Sequence, residues 1–287
     1  PLFYGFVKQW QQSWQAPKVP VVLVTAVDSL ALLGRRQLRN VISETVLADS
    51  PLAYFPLDEP QGATRALDAV GGDPLVVVTK PGADGTLEFG AGTGPGTDQG
   101  SAPTFTAGPA GTPFLRRPSA AVGTSDFSFE CWFNLSLQST ACYLATVGAA
   151  LRSSVLVSFT AAGLIEAHVG LDSVTTSGAY DDGRTHHLVV AYDAGSLLGV
   201  YVDGALVAST TPGVGSGGGG ELTVGDPTMT GTNVLTVAHV AVYSTTLSSG
   251  DVLDHYRAGK GFAGESTFDR IERWCGWVGV DVSNDGA

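Results

Sequence analysis

Methionine occurs once in the 287 residues, at Met229, and cysteine three times, at Cys131, Cys142 and Cys275. Three cysteines are too few for a disulfide framework. Cys131 and Cys142 flank a turn expected at residues 135–138, which would set them across neighbouring strands. A directly opposed pair bridges only with strain, so two free thiols are expected. Cys275 has no evident partner. Basic residues are also scarce: 15 Lys and Arg stand against 27 Asp and Glu, a net charge of −12. Such a surface repels a phosphate backbone, and no basic run offsets it, which excludes nucleic-acid binding. Long apolar runs are missing as well. Strictly apolar stretches reach five residues, as at 188–192, and nine over Val19–Val27 if Pro20 and Thr25 are admitted. A membrane-spanning helix needs ~20. No charged-then-apolar leader opens the chain and no Met begins it, so it reads as a segment of something longer or a processed product. Lys, Ile and Asn are rare while Gly, Ala and Val abound, the usage of a GC-rich genome.

What is plentiful is punctuation. Thirty-eight glycines and fifteen prolines, about one breaker in five residues, argue against long helices. Residues 2–7, 9–16 (with Trp10 and Trp14) and the Val-rich Val19–Val27 read as strands. Asp28-Ser29 caps a short helix over 30–33, and Leu38, Val41, Ile42 and Val46 give helical spacing over 38–48. From residue 51 to about 242 the signal is β. Phe127, Phe129, Cys131 and Phe133 alternate with Ser128, Glu130, Trp132 and Asn134. Residues 186–192 are largely apolar on both faces, as in a central strand, and 198–202 meet 205–208 across Asp203-Gly204, a strong hairpin signal. Twelve or more strands predict a mainly β fold, a two-sheet antiparallel sandwich with short flanking strands and helices. Residues 90–113 and 213–220 read as long surface loops. Ser248, with Asp251 three residues on, opens a helix with Val252, Leu253 and Tyr256 as its buried stripe and Gly259 as its stop. Ser266 with Asp269 opens another over 266–275.

The segment Asp49-Ser50-Pro51-Leu52-Ala53-Tyr54-Phe55, with Leu57 and Glu59, resembles the "DSPxAYWxLxE" opening of laminin-G-like domains of the concanavalin-A-like lectin superfamily. Phe127-Ser128-Phe129-Glu130-Cys131-Trp132-Phe133 is similar to that family's "FTxxxW" strand. The paired-His strand at 186–193, Val200-Tyr201-Val202-Asp203-Gly204, Val240-Ala241-Val242-Tyr243 and His255-Tyr256-Arg257-Ala258-Gly259 follow in the family's order. Thr185 stands where the family usually has Trp, and Val237-Ala238-His239-Val240 replaces its "GxIDxV" phrase. The resemblance implies a jelly-roll domain over 49–260. The flanks, 1–48 (hairpin plus helices) and 261–287 (a continuing helix), resemble the assembly domain of minor tail proteins of bacteriophages with GC-rich hosts. Taken together these imply a structural protein of the distal tail of a virion. Its lectin-like insert would touch host-surface glycan, and its partners would be other tail proteins and copies of itself, a trimer. A secreted bacterial carbohydrate-binding adhesin is the alternative.

Adjacent His186 and His187 point to opposite faces of a strand and cannot share one ion. They are read as structural, as are the scattered His168, His239 and His255. A retaining glycosidase needs two carboxylates ~5–5.5 Å apart. The strand acids Glu130 and Glu166 each stand alone, so no catalytic residue is expected. Related lectins often hold calcium on loop carboxylates, which would fall here to Asp181, Asp182 and Asp226; the same residues read first as turn formers beside Gly183 and Pro227, and calcium is the weaker reading. Tyr180, Trp132, Tyr143 and Tyr201 are the aromatics able to stack on a sugar ring, and none is singled out.

Overall fold

Phe127, Phe129, Cys131, Phe133 and Leu135 all enter one apolar core. The period-two alternation therefore builds a strand whose inner face closes the centre of the molecule. The computed structural model describes residues 6–15, 19–27, 41–95, 100–120, 126–136, 140–148, 155–213 and 220–260. In chain order the elements begin with β1 (Phe6–Gln15), β2 (Val19–Val27), α1 (Val41–Ala48), β3 (Ala53–Phe55), β4 (Arg65–Ala66), β5 (Leu75–Val78) and β6 (Thr86–Thr93). They continue with β7 (Ser101–Thr106), β8 (Phe114–Ala120), β9 (Phe127–Ser136), β10 (Cys142–Val147), β11 (Val155–Phe159), β12 (Leu164–Val169) and β13 (Asp172–Ala179). The last are β14 (Asp182–Asp193), β15 (Leu197–Val202), β16 (Ala205–Thr210), β17 (Gly220–Val224), β18 (Val234–Tyr243) and α2 (Ser249–Lys260). Among the described residues no helix is long and apolar enough to cross a membrane.

The chain divides into two units, Pro1–Arg39 with Gly264–Ala287, and Asn40–Ala263. In the first, β1 and β2 pair antiparallel from Phe6 opposite Val27 to Gln15 opposite Val19, with a register shift between Val7 and Gln9. The expected helices at 30–33 and 266–275, and Cys275, lie outside the described residues.

The second unit is a sandwich of two antiparallel sheets. The first runs β16-β15-β14-β9-β18-β7-β6, with β3 also on β18; the second runs β13-β12-β11-β10-β17-β8-β5-β4. This is the two-sheet sandwich the strand pattern predicts and the jelly-roll architecture the resemblance implies. Their inner faces share the core to which β9 gives its phenylalanines. β14, central in the first sheet, sends Leu188, Val190 and Tyr192 inward, while Val189 and Ala191 face the other way. That second face is covered by α1 and α2: Ile42, Val46, Val252 and Ala258 bury against Val189, Ala191, Tyr201 and Tyr243. The helix expected over 38–48 forms at Val41–Ala48 and packs on the sandwich. The capping box forms as its spacing predicts, with Asp251 N donating to Ser248 Oγ (3.2 Å) and Ser248 N to Asp251 Oδ2 (2.9 Å).

Three local expectations are corrected. Residues 90–113 are not an unstructured excursion, because β6 and β7 pair within them, from Gly92 opposite Ala102 to Thr93 opposite Ser101. A side chain at Gly92 would collide with Thr104 and Thr236, so this glycine serves a close strand approach. Gly259 does not stop α2, which runs on to Lys260. It lies against the Trp132 indole, with no room for a Cβ. Cys131 and Cys142 are both free and buried, but they do not face each other across one hairpin. Cys131 is opposite Leu188 in the first sheet and Cys142 opposite Phe159 in the second. The chain crosses between sheets after β9 instead of turning back on itself.

Candidate functional site

No helix among the described residues covers the outer face of the second sheet. There β10, β11 and β12 lie side by side, with Tyr143 opposite Ser158 and Ser158 opposite Glu166. A bulge between Tyr143 and Ala145 breaks the register of β10, and such bulges re-aim a strand's side chains. Cys142 and Leu144 go to the core, which leaves Tyr143 on the outside, half-buried. Along β12, Ile165, Ala167 and Val169 are buried while Glu166 and His168 alternate outward. With the loops after β11 and β17 these residues line a groove of about 430 Å3. That volume lies in the usual range of small-molecule sites. Its polar groups include Ser158, Thr160, Glu166, His168, Asp226 and Thr228. Glu166 Oε2 and His168 Nε2 are 3.3 Å apart, each about one-third exposed. Asp226 is buried and largely committed to the protein: Oδ2 accepts from Tyr143 N (3.0 Å), and Oδ1 from Thr228 N and Oγ1 (both 2.6 Å).

The outer face of the first sheet holds the other polar cluster, and it is sealed. Glu130 is fully buried. Its carboxylate accepts from His187 Nε2 at 2.8 Å, Tyr243 Oη at 2.6 Å and His255 Nδ1 at 2.9–3.0 Å. His255 Nε2 reaches Asp49 Oδ2 at 2.9 Å. Both ring nitrogens of His255 donate to carboxylates, so it is an imidazolium. Burial alone would lower its pKa, but Glu130 and then Asp49 outweigh that and raise it to about 9. Burial likewise pushes the Glu130 carboxyl up, and the charge of His255 with the hydrogen bonds from both histidines carries it well below the ordinary range. The Tyr243 phenol is driven far up by burial and by Glu130. This network ties α2 and the residue after α1 to the sheet. Sequence reasoning missed it because Glu130, His187 and His255 come from three distant places in the chain.

Of the histidines expected to be structural, His187 and His255 sit in this network and His239 bonds Tyr54, whereas His168 lines the groove. His186 faces away from His187 and is gripped by Asp203 (2.8 Å) and Asp182 (3.1 Å), with its pKa raised chiefly by the Asp203 hydrogen bond. The calcium candidates do not come together. Asp182 begins β14 in the first sheet, bonded to Arg184 N and His186, and Asp226 follows β17 in the second. Asp181 lies against the Gly163 turn. Among the described residues no three His, Cys, Asp or Glu side chains assemble a cation site. Asp226 in particular does not fit calcium, since its oxygens already accept three protein donors. Of the four candidate stacking aromatics, only Tyr143 lines the groove. Trp132 is buried beneath Tyr256 and Tyr201 beneath the helices, while Tyr180 meets His186 edge-on at 5.3 Å.

Two antiparallel sheets with one helix-covered face and one grooved face define a lectin-type jelly roll. The chain belongs to the concanavalin A-like lectin/glucanases superfamily, whose laminin G-type model matches residues 109–253. Among solved structures it is similar to botulinum neurotoxin type C, from work showing that its cell entry depends on interaction with two ganglioside molecules. That match has a TM-score of 0.56 at 10% identity, covering 74% of this chain and 52% of the toxin chain. The binding domain of botulinum neurotoxin DC, solved in complex with rat synaptotagmin II, gives 0.54 at 9% identity over 73% and 52%. A Trypanosoma rangeli sialidase in complex with sialic acid gives 0.53 at 14% identity over 86% and 42%. The chain thus spans about half the length of these structures or less, and the likeness is one of fold. No curated protein sequence matches it.

Proposed function

We propose that the sandwich is a carbohydrate-binding module that does not hydrolyse what it binds. The observation that carries this is the groove on the open sheet. A half-buried tyrosine stands beside a carboxylate–imidazole pair and a row of hydroxyls, the mixture of apolar face and hydroxyl partners that a sugar ring presents. Of the two groove carboxylates, Asp226 is buried and already accepts three protein hydrogen bonds, which leaves Glu166 as the one open to a ligand, and glycoside hydrolysis needs two. Binding runs through protein groups without calcium. Finding gangliosides and sialic acid with proteins of this fold agrees with a glycan-reading surface.

The whole chain acts, on this reading, as a structural minor tail protein of a bacteriophage. Its sandwich contacts host-surface glycan at the distal tail, and its separate unit, with the Val-rich β2, meets other tail proteins and further copies, in a trimer. A glycan array with the full chain, run with and without chelator, tests the binding. Loss of all signal with chelator, or release of reducing sugar from a bound polymer, overturns the corresponding clause. Antibody labelling of purified particles at the tail tip tests the location. A secreted, particle-free protein would be an adhesin instead.

A further inference from the structure

The charge of the groove is one-sided, and from it we propose which glycans enter; this rests on the carbohydrate reading above. The lining holds two carboxylates, Glu166 and Asp226, and no lysine or arginine. Its one basic side chain, His168, already faces Glu166. A third carboxylate, Asp181, comes up against Gly163, two residues from the rim residue Ala161. On the same sheet, Arg116 of β8 is engaged by Glu221 of β17, Nε to Oε2 at 2.6 Å. The chain as a whole carries −12.

A carboxylate only accepts hydrogen bonds. Neighbouring hydroxyls of an uncharged sugar can donate to Glu166 and exchange hydrogen bonds with His168 while the ring lies on Tyr143. A sugar carboxylate or sulfate brings acceptors to an acceptor. It leaves both groups short of donors and sets like charges together in a partly desolvated groove, the repulsive element by which specific sites reject a wrong partner. The groove therefore selects by charge: it takes uncharged glycans and refuses carboxylated and sulfated ones, and Glu166 sets the rule. The sialic acid seen with the Trypanosoma rangeli sialidase falls on the refused side.

The test uses the full chain on matched glycan sets, each core present in neutral, sialylated and sulfated forms. Cores that bind should bind in the neutral form, with the acidic form at least roughly tenfold weaker, about 1.4 kcal/mol. Glu166→Gln, which keeps shape and removes the charge, should narrow that ratio to within about threefold, less than half of the original discrimination. Glu88→Gln removes the same formal charge from an exposed position on the other sheet and should leave the ratio unchanged. Thermal midpoints of the variants check that both are folded. Acidic forms binding as well as neutral ones, or a ratio unmoved by Glu166→Gln, overturns the charge rule and leaves carbohydrate binding standing. Silence across every core overturns both.

Discussion

Over the outer face of the first sheet lie α1 and α2, and beneath them Glu130, His187, His255 and Tyr243 share one charge-assisted network. Over the outer face of the second sheet no described helix is laid, and Tyr143, Glu166 and His168 line a groove instead. Both faces come from strands with the same alternation, inner residues apolar and outer ones mixed. The difference is in how far the outer polar groups are satisfied. A carboxylate sealed under helices survives only with its acceptor sites filled, because an unpaired buried charge is very costly. A carboxylate in an open groove can keep unspent acceptor capacity, and that remainder is what a ligand can use. One face holds the sandwich and its helices together, and the other is left open.

The comparison breaks most sharply at Glu130. Glu130→Gln leaves the His255 imidazolium with Asp49 alone and should cost about 3–5 kcal/mol. Urea denaturation measures this, and a loss below about 1 kcal/mol would mean the network is ornamental. Glycan affinity of the folded fraction should not change.

The pH profile comes next. Folded His255 titrates at about 9 against about 6.5 when unfolded, so its contribution is whole below about 6.5 and fades as pH climbs to 9, about 3 kcal/mol in all. Glu130, held below its ordinary value of 4.5, acts in the opposite sense: its contribution is whole above that pH and fades as pH falls. Stability should peak between about 4.5 and 6.5. His255→Gln should flatten the alkaline limb of a Tm-against-pH curve, and a wild-type Tm constant from pH 6 to 9.5 contradicts the assignment.

Gly259→Ala forces a methyl into the Trp132 ring and should cost about 1–3 kcal/mol by thermal or urea unfolding. An Ala variant as stable as the parent would show that α2 can shift away freely. On the open face the expectation inverts. Tyr143→Ala should weaken glycan binding by about 1 kcal/mol or more, and change stability by about half a kcal/mol or less. Titration calorimetry alongside unfolding separates the two; a larger stability loss than binding loss would make Tyr143 a packing residue. The smallest effect concerns the thiols. Burial raises the Cys131 thiol and pushes Cys142 up to about 12, so alkylation should be slow in the native protein and complete for both in denaturant. Rapid native labelling of either would show that the core opens.

The sandwich was largely legible in the sequence because its signals are local. The alternation at residues 127–134, the Asp203-Gly204 turn with both residues at positive φ, and the Ser248–Asp251 box each need only a few neighbouring residues. The sites were not legible, because their partners are distant. Glu130 meets His187 from 57 residues away and His255 from 125, and from the sequence it stood as a lone strand acid. Gly259 has the position of a helix stop, and only the Trp132 ring above it reveals a close approach. The β6–β7 pair was hidden by its glycine and threonine content, which reads as loop until β18 is placed beside it. Tyr143 was one aromatic among four, and a bulge that no local pattern announces turns it outward.

Tyr54 on β3 bonds His239 on β18 at 2.7 Å across 185 residues, and the backbones pair there as well, with Tyr54 opposite Ala241. A strand made early must therefore wait for one made late. At ribosomal rates of about 5–20 residues per second the wait is roughly 10–40 s, during which β3 has no partner on β18. A force-sensing arrest sequence placed before β18 should report no folded sandwich, and one placed past α2 should report it fully. The domain is thus a single event at the end of its own synthesis, exposed to chaperones and to neighbouring nascent chains until the last strand emerges.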